Sequence, residues 1–182
     1  MSESWFSSFP VLSRNAVLES QGILVVEPQT SMLRLMREFL SDIGARGLTG
    51  TMTAEDALLK LQERPFALVI ADVRLSDLDG IELTRQMRYG FRDGRRRTPV
   101  LLTMEMATAG RIREARDAGV NEILLKPFNL QGLERKVSAA LTDRRAFIET
   151  LHYTGPERRR DAARAHRGPF RRKSDISTNV LV

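Results

Sequence analysis

Three short, nearly unbroken apolar runs constrain this chain more than any other feature: ILVV at 23–26, ALVI at 67–70 and VLLT at 100–103. A strand in the middle of a parallel sheet is buried on both faces, so it reads as a continuous apolar run, without polar alternation. Ile123, Leu124 and Leu125 form a shorter fourth candidate, and residues 46–51 a weaker one. Between these runs the apolar spacing changes to three and four. Met32, Leu35, Met36, Phe39, Leu40 and Ile43 mark one helix, stopped at Gly44. Thr53 caps a second helix running to Leu61, with Asp56 completing a capping-box pattern. Residues 81–88 follow Asp79-Gly80 as a third, and residues 112–118 end at Gly119 as a fourth. Asn129 starts a fifth, with Leu130, Leu133, Val137 and Leu141 along one face.

Five strands alternating with five helices predict a doubly wound α/β domain with helices on both faces of the sheet. In such sheets polar chemistry gathers beyond the carboxyl ends of the strands. Glu27 follows the first strand, Asp72 the third, Met104-Glu105 the fourth and Lys126-Pro127 the fifth. Two acids and a lysine are therefore expected to converge at one end of the sheet.

Charge divides the chain differently. Residues 1–143 hold 19 basic and 19 acidic residues, so the net +6 lies in residues 144–182, with 10 basic and 4 acidic. The expected organisation is an arm over 1–20 carrying Trp5, Phe6 and Phe9, a domain over 21–143, and a helix extension with a flexible, arginine-rich tail over 144–182. Phe147, Ile148 and Leu151 are expected to continue the last helix's apolar face. The tail repeats a motif, GPERRR at 155–160 and GPFRRK at 168–173. Arg158, Arg159, Arg160, Arg171, Arg172 and Lys173 are its candidate anion-binding residues, since paired guanidinium groups hold phosphates and carboxylates. Only Tyr153 and Phe170 are available there for base stacking, so a protein partner is favoured over DNA. Arg92, Arg95, Arg96 and Arg97 crowd the loop before the fourth strand and read as a solvated loop, with an anionic docking site as the sharper reading. Asp77, Asp79 and Gly80 read as a turn and helix start. His152 and His166 lack metal-ligand spacing. The absence of cysteine excludes disulfides and thiol catalysis. No apolar run approaches a membrane span, and nothing resembles a signal peptide, so a cytoplasmic protein is expected.

Four segments in order, ILVVEPQTSM (23–32), LVIADVRLSDLDGIEL (68–83), TPVLLTMEMA (98–107) and AGVNEILLKPF (118–128), resemble the response-regulator receiver domains of bacterial two-component signalling. The resemblance covers about residues 21–143 and implies the flavodoxin-like sheet order 2-1-3-4-5. It implies that Asp72 is the phosphoacceptor, that Lys126 binds the phosphate, and that the bond to Pro127 is cis. It also implies a Mg²⁺ site made by Glu27, Asp72 and the backbone carbonyl of Arg74. The family's second acid after the first strand is Pro28 here, so Mg²⁺ binding is expected to be weakened. Met104 stands where the family carries a switch hydroxyl, and Ile123 where it carries a switch aromatic. Thr103 lies one residue early and is expected to point to the opposite face of its strand. The resulting expectation is a stand-alone regulator, not an enzyme. A histidine kinase or phosphotransferase would phosphorylate it, and it would signal to a downstream protein, with a homodimer through the last helix a further expectation. The alternative is a degenerate receiver acting without phosphorylation, its basic tail binding an anionic partner.

Overall fold

The computed structural model describes residues 21–158. Its central sheet comprises β1 (Ile23–Val26), β2 (Leu48–Thr51), β3 (Leu68–Asp72), β4 (Val100–Met104) and β5 (Glu122–Leu125), all parallel, in the order β2-β1-β3-β4-β5. The helices are α1 (Thr30–Asp42), α2 (Ala54–Glu63), α3 (Gly80–Gly90), α4 (Ala109–Asp117) and α5 (Leu130–Leu141). This is the expected doubly wound sheet with its expected order. β1, β3 and β4 are buried at every position, as their unbroken apolar runs require.

Two cores flank the sheet. Ile23, Val25, Leu68, Ile70 and Leu101 pack against Met36 and Leu40 of α1 and Leu133 and Val137 of α5. Leu24, Val26, Val69, Ala71, Leu102 and Met104 pack against α2, α3 and α4 through Ala57, Leu61, Ile81, Met87 and Ala115. The alternation within each strand decides which core a residue joins. Helix starts follow the cap residues: Thr53 accepts from the Asp56 amide (3.2 Å), Asp79 from Ile81 (2.7 Å) and Asn129 from Gly132 (2.8 Å).

The expected helix extension is not there. α5 ends at Leu141, and Asp143 accepts both the amide (3.1 Å) and the guanidinium of Arg145, which turns the chain. An antiparallel hairpin follows, β6 (Phe147–Glu149) and β7 (Thr154–Pro156). It docks under the sheet, at the end opposite Asp72. Glu149 pairs with Arg96 (2.6 Å) and Arg97 (2.9 Å), so these arginines bind the chain's own hairpin instead of forming a solvated loop. Arg95 donates to the Leu61 and Gln62 carbonyls at the end of α2. Phe147, expected on a helix face, lies under the guanidinium groups of Arg88 and Arg97. Gly155 meets Gly119 so closely that a Cβ on it would lie 2.6 Å from the Gly119 Cα.

Arg88 of α3 joins these parts. It is 1% exposed, and its guanidinium donates to the carbonyls of Arg96, Thr98 and Gly119 and to Asn121 Oδ1. Burial pulls its pKa down to about 10. It therefore remains charged at neutral pH, with every donor group engaged. Of the candidate anion-binding residues, only Arg158 is described; it stacks on Tyr153 and pairs with Asp117. The arm (1–20), Arg159, Arg160, Arg171, Arg172 and Lys173, and His166 and Phe170, for which the sequence sets expectations, lie outside the described residues. Among the described residues no helix is long and apolar enough to cross a membrane.

Candidate functional site

The carboxyl ends of β1, β3 and β5 bring Glu27, Asp72 and Lys126 together, as the sheet order requires. Glu27 is 1% and Asp72 6% exposed. Lys126 Nζ donates to Glu27 Oε2 at 2.7 Å and lies 2.5 Å from Asp72 Oδ2, so one ammonium bridges two buried carboxylates. Burial acts to lower the Lys126 pKa, but its bonds to Asp72 and Glu27 outweigh that and raise it above the usual lysine value. The lysine is thus a fixed cation. Its backbone is held as well: the amide donates to the Met104 carbonyl (2.8 Å), and the following bond to Pro127 is cis.

Asp72 is held at both oxygens. The Arg74 amide donates to Oδ1 at 2.6 Å, while Lys126 and the Thr103 hydroxyl, the latter at 3.2 Å, approach Oδ2. Glu27 Oε1 accepts from the Gln29 amide at 3.1 Å. The loop between β3 and α3 returns across the end of β3, where a Cβ at Gly80 would lie 2.2 Å from the Asp72 carbonyl oxygen. Glycine is required there to let the backbone pass. The acidic turn has structural work: Asp77 accepts the Ala54 and Glu55 amides at the start of α2, and Asp79 pairs with Arg111 at 2.5 Å. Desolvation opposes ionisation of Asp77, yet those amides hold its pKa below the ordinary carboxylate value. Across the mouth of the site, Arg74 pairs with Glu105.

The side chains of Met104 and Ile123 lie in the core. Met104 is 3% exposed and packs into the core beneath α2, α3 and α4, and Ile123 packs against the same core. Thr103 does face away from Met104, as strand alternation demands, but its face is that of Asp72. Its hydroxyl donates to Asp72 Oδ2 at 3.2 Å, so a hydroxyl reaches the site from the position before the expected one. The decisive quantity is the register, which pairs Asp72 with Thr103 across β3 and β4. A single strand cannot reveal it.

The donor set suits a hard divalent cation. Glu27 and Asp72 give two carboxylates within reach of one ammonium, and the Arg74 backbone is anchored on Asp72. Pro28 supplies no side-chain ligand, and among the described residues no group of three or more acidic, histidine or cysteine side chains converges. Mg²⁺, which keeps several waters and uses one or two carboxylates, fits this pair.

Comparison with known proteins agrees with the geometry. The family model described as the response regulator receiver domain matches residues 23–138. The chemotaxis protein CheY of Pseudomonas aeruginosa is 34% identical over 118 residues, covering 63% of this chain and 91% of that protein. The structure of the chemotaxis response regulator CheY4 of Vibrio cholerae superimposes with a TM-score of 0.61 over 65% of this chain and 97% of that one; at 24% identity it speaks to the fold. The receiver domain of a sensor histidine kinase from Pseudomonas aeruginosa, solved with a magnesium ion in its active-site cleft, matches with a TM-score of 0.59 at 27% identity. It covers 65% of this chain and 95% of that one.

Proposed function

The chain belongs to the response regulator receiver family, and from that premise we propose that Asp72 accepts a phosphoryl group from a phosphohistidine of a kinase or phosphotransferase, and that the protein signals in the cytoplasm by changing its contacts with a downstream protein. The observation that carries this reading is the convergence of Asp72 and Glu27 on one Lys126 ammonium.

In the transfer an Asp72 carboxylate oxygen forms a bond to phosphorus as the phosphorus–nitrogen bond of the donor breaks. That bond's electron pair stays on the imidazole nitrogen. The proton on the other ring nitrogen makes the leaving group neutral histidine, and the product is an aspartyl phosphate. Glu27, Asp72 and the Arg74 carbonyl would hold Mg²⁺, which neutralises the charge of the phosphoryl oxygens when bound. Lys126 brings a fixed positive charge to the same place, in a buried setting where its field is poorly screened. The Arg74 amide fixes the orientation of the carboxylate.

A second reading, a receiver working without phosphorylation through its surfaces and basic tail, draws on Pro28 in the metal-ligand position. Beryllofluoride, a phosphoryl mimic, separates the two. In amide NMR spectra with Mg²⁺, the first reading expects shifts around Asp72 that are absent in Asp72→Asn. Spectra that stay unchanged at high Mg²⁺ would favour the second.

A further inference from the structure

We infer that the Thr103 hydroxyl, and no group at position 104, is the positioning residue that orients the Asp72 carboxylate for phosphoryl acceptance; this rests on Asp72 being the phosphoacceptor. The register of β3 and β4 sets Thr103 opposite Asp72, so both side chains leave the same face of the sheet. Its hydroxyl donates to Oδ2, the oxygen that also meets Lys126, while the Arg74 amide takes Oδ1. Three donors thus fix two oxygens, and the carboxylate's rotation is set. Thr103 is 0% exposed, and its carbonyl accepts the Val73 amide at 2.9 Å, so the hydroxyl is held by the sheet itself.

Position 104 cannot take this role. Its side chain leaves the other face of β4 and joins the core that packs under α2, α3 and α4. The methionine there has no hydrogen-bond donor to offer. The hydroxyl that orients the acid is therefore one residue earlier in β4 than the receiver resemblance places it.

The test is the initial rate at which the full chain takes up phosphate from acetyl phosphate with Mg²⁺, followed by intact mass. Here the Asp72 oxygen–phosphorus bond forms as the phosphorus–oxygen bond to acetate breaks, its electron pair leaving on acetate. Thr103→Val keeps the side chain's shape and removes the donor. It is expected to lower the maximal rate about tenfold or more, the loss of one hydrogen bond to a charged group, with half-saturation by acetyl phosphate unchanged. Thr103→Ser restores the rate, and Met104→Thr does not increase it. A Thr103→Val rate equal to wild type overturns the assignment, as does a loss that Thr103→Ser fails to recover. A wild type that takes up no phosphate overturns both the phosphoacceptor reading and this inference, and is told apart by the wild-type rate alone.

Discussion

Gly155→Ala should undock the hairpin. The added Cβ would lie 2.6 Å from the Gly119 Cα and 2.7 Å from the Tyr153 hydroxyl oxygen. Carbon atoms pack at about 3.5–4.0 Å, so roughly 1 Å must be recovered, and on the Gly119 side only backbone can move. The hairpin must lift, loosening the ion pairs of Glu149 with Arg96 and Arg97 and the stacking of Phe147 beneath Arg97. Overpacking a buried site costs about 1–3 kcal/mol. For a protein of this size each kcal/mol corresponds to about 2–4 °C in Tm, so the expected drop is roughly 2–12 °C in thermal unfolding followed by circular dichroism. Gly94→Ala is the control, because a Cβ there meets nothing within 4 Å. Gly119→Ala attacks the same contact from the other side, at 2.7 Å from the Thr154 carbonyl oxygen. The double variant should therefore lose less than the two singles together. A Gly155→Ala protein melting with wild type and Gly94→Ala would refute the close packing of hairpin on sheet.

Further outcomes follow from the same geometry. Cutting the chain after Asp143 should lower the Tm and speed proteolysis relative to a chain ending at Arg158, because Arg88 loses its cover; equal stability would make the hairpin a passive appendage. Arg88→Met leaves the carbonyls of Gly119 and Thr98 and Asn121 Oδ1 without this donor, and urea unfolding should show a loss of about 1–3 kcal/mol. Lys126→Gln removes the cation between two buried acids, so Mg²⁺ should raise its Tm more than it raises that of wild type. Because the folded Lys126 pKa lies above the unfolded value, its ion pairs stabilise fully below the unfolded pKa and are lost as pH rises through the folded one. The stability gap between wild type and Lys126→Gln, measured by urea unfolding, should be constant at neutral pH and close in strongly alkaline solution.

The sheet and the site were legible for one reason. Strands buried on both faces must be continuously apolar, and the residue after each strand must lie at the same end of the sheet. That logic finds Glu27, Asp72 and Lys126 without any structure. It does not find Thr103, whose role depends on a cross-strand register that no single run of residues encodes. The hairpin was hidden differently. Its strands have only three residues each, and Phe147, Ile148 and Leu151 fall at spacings that imitate a helix face. The arginines before β4 read as solvated because their partner, Glu149, lies about fifty residues further on. Arg88 carries no signal of its own in the sequence, and only the assembled fold reveals five bonds around it.

Everything proposed for the site rests on Asp72 carrying the phosphoryl group. The most direct measurement treats the full chain with phosphoramidate and Mg²⁺, then reduces it with borohydride, which converts an aspartyl phosphate to homoserine, and locates that residue by peptide mass spectrometry. Homoserine is expected at position 72 alone, and none in Asp72→Asn. Homoserine elsewhere, or an unmodified Asp72 after prolonged treatment, would contradict it.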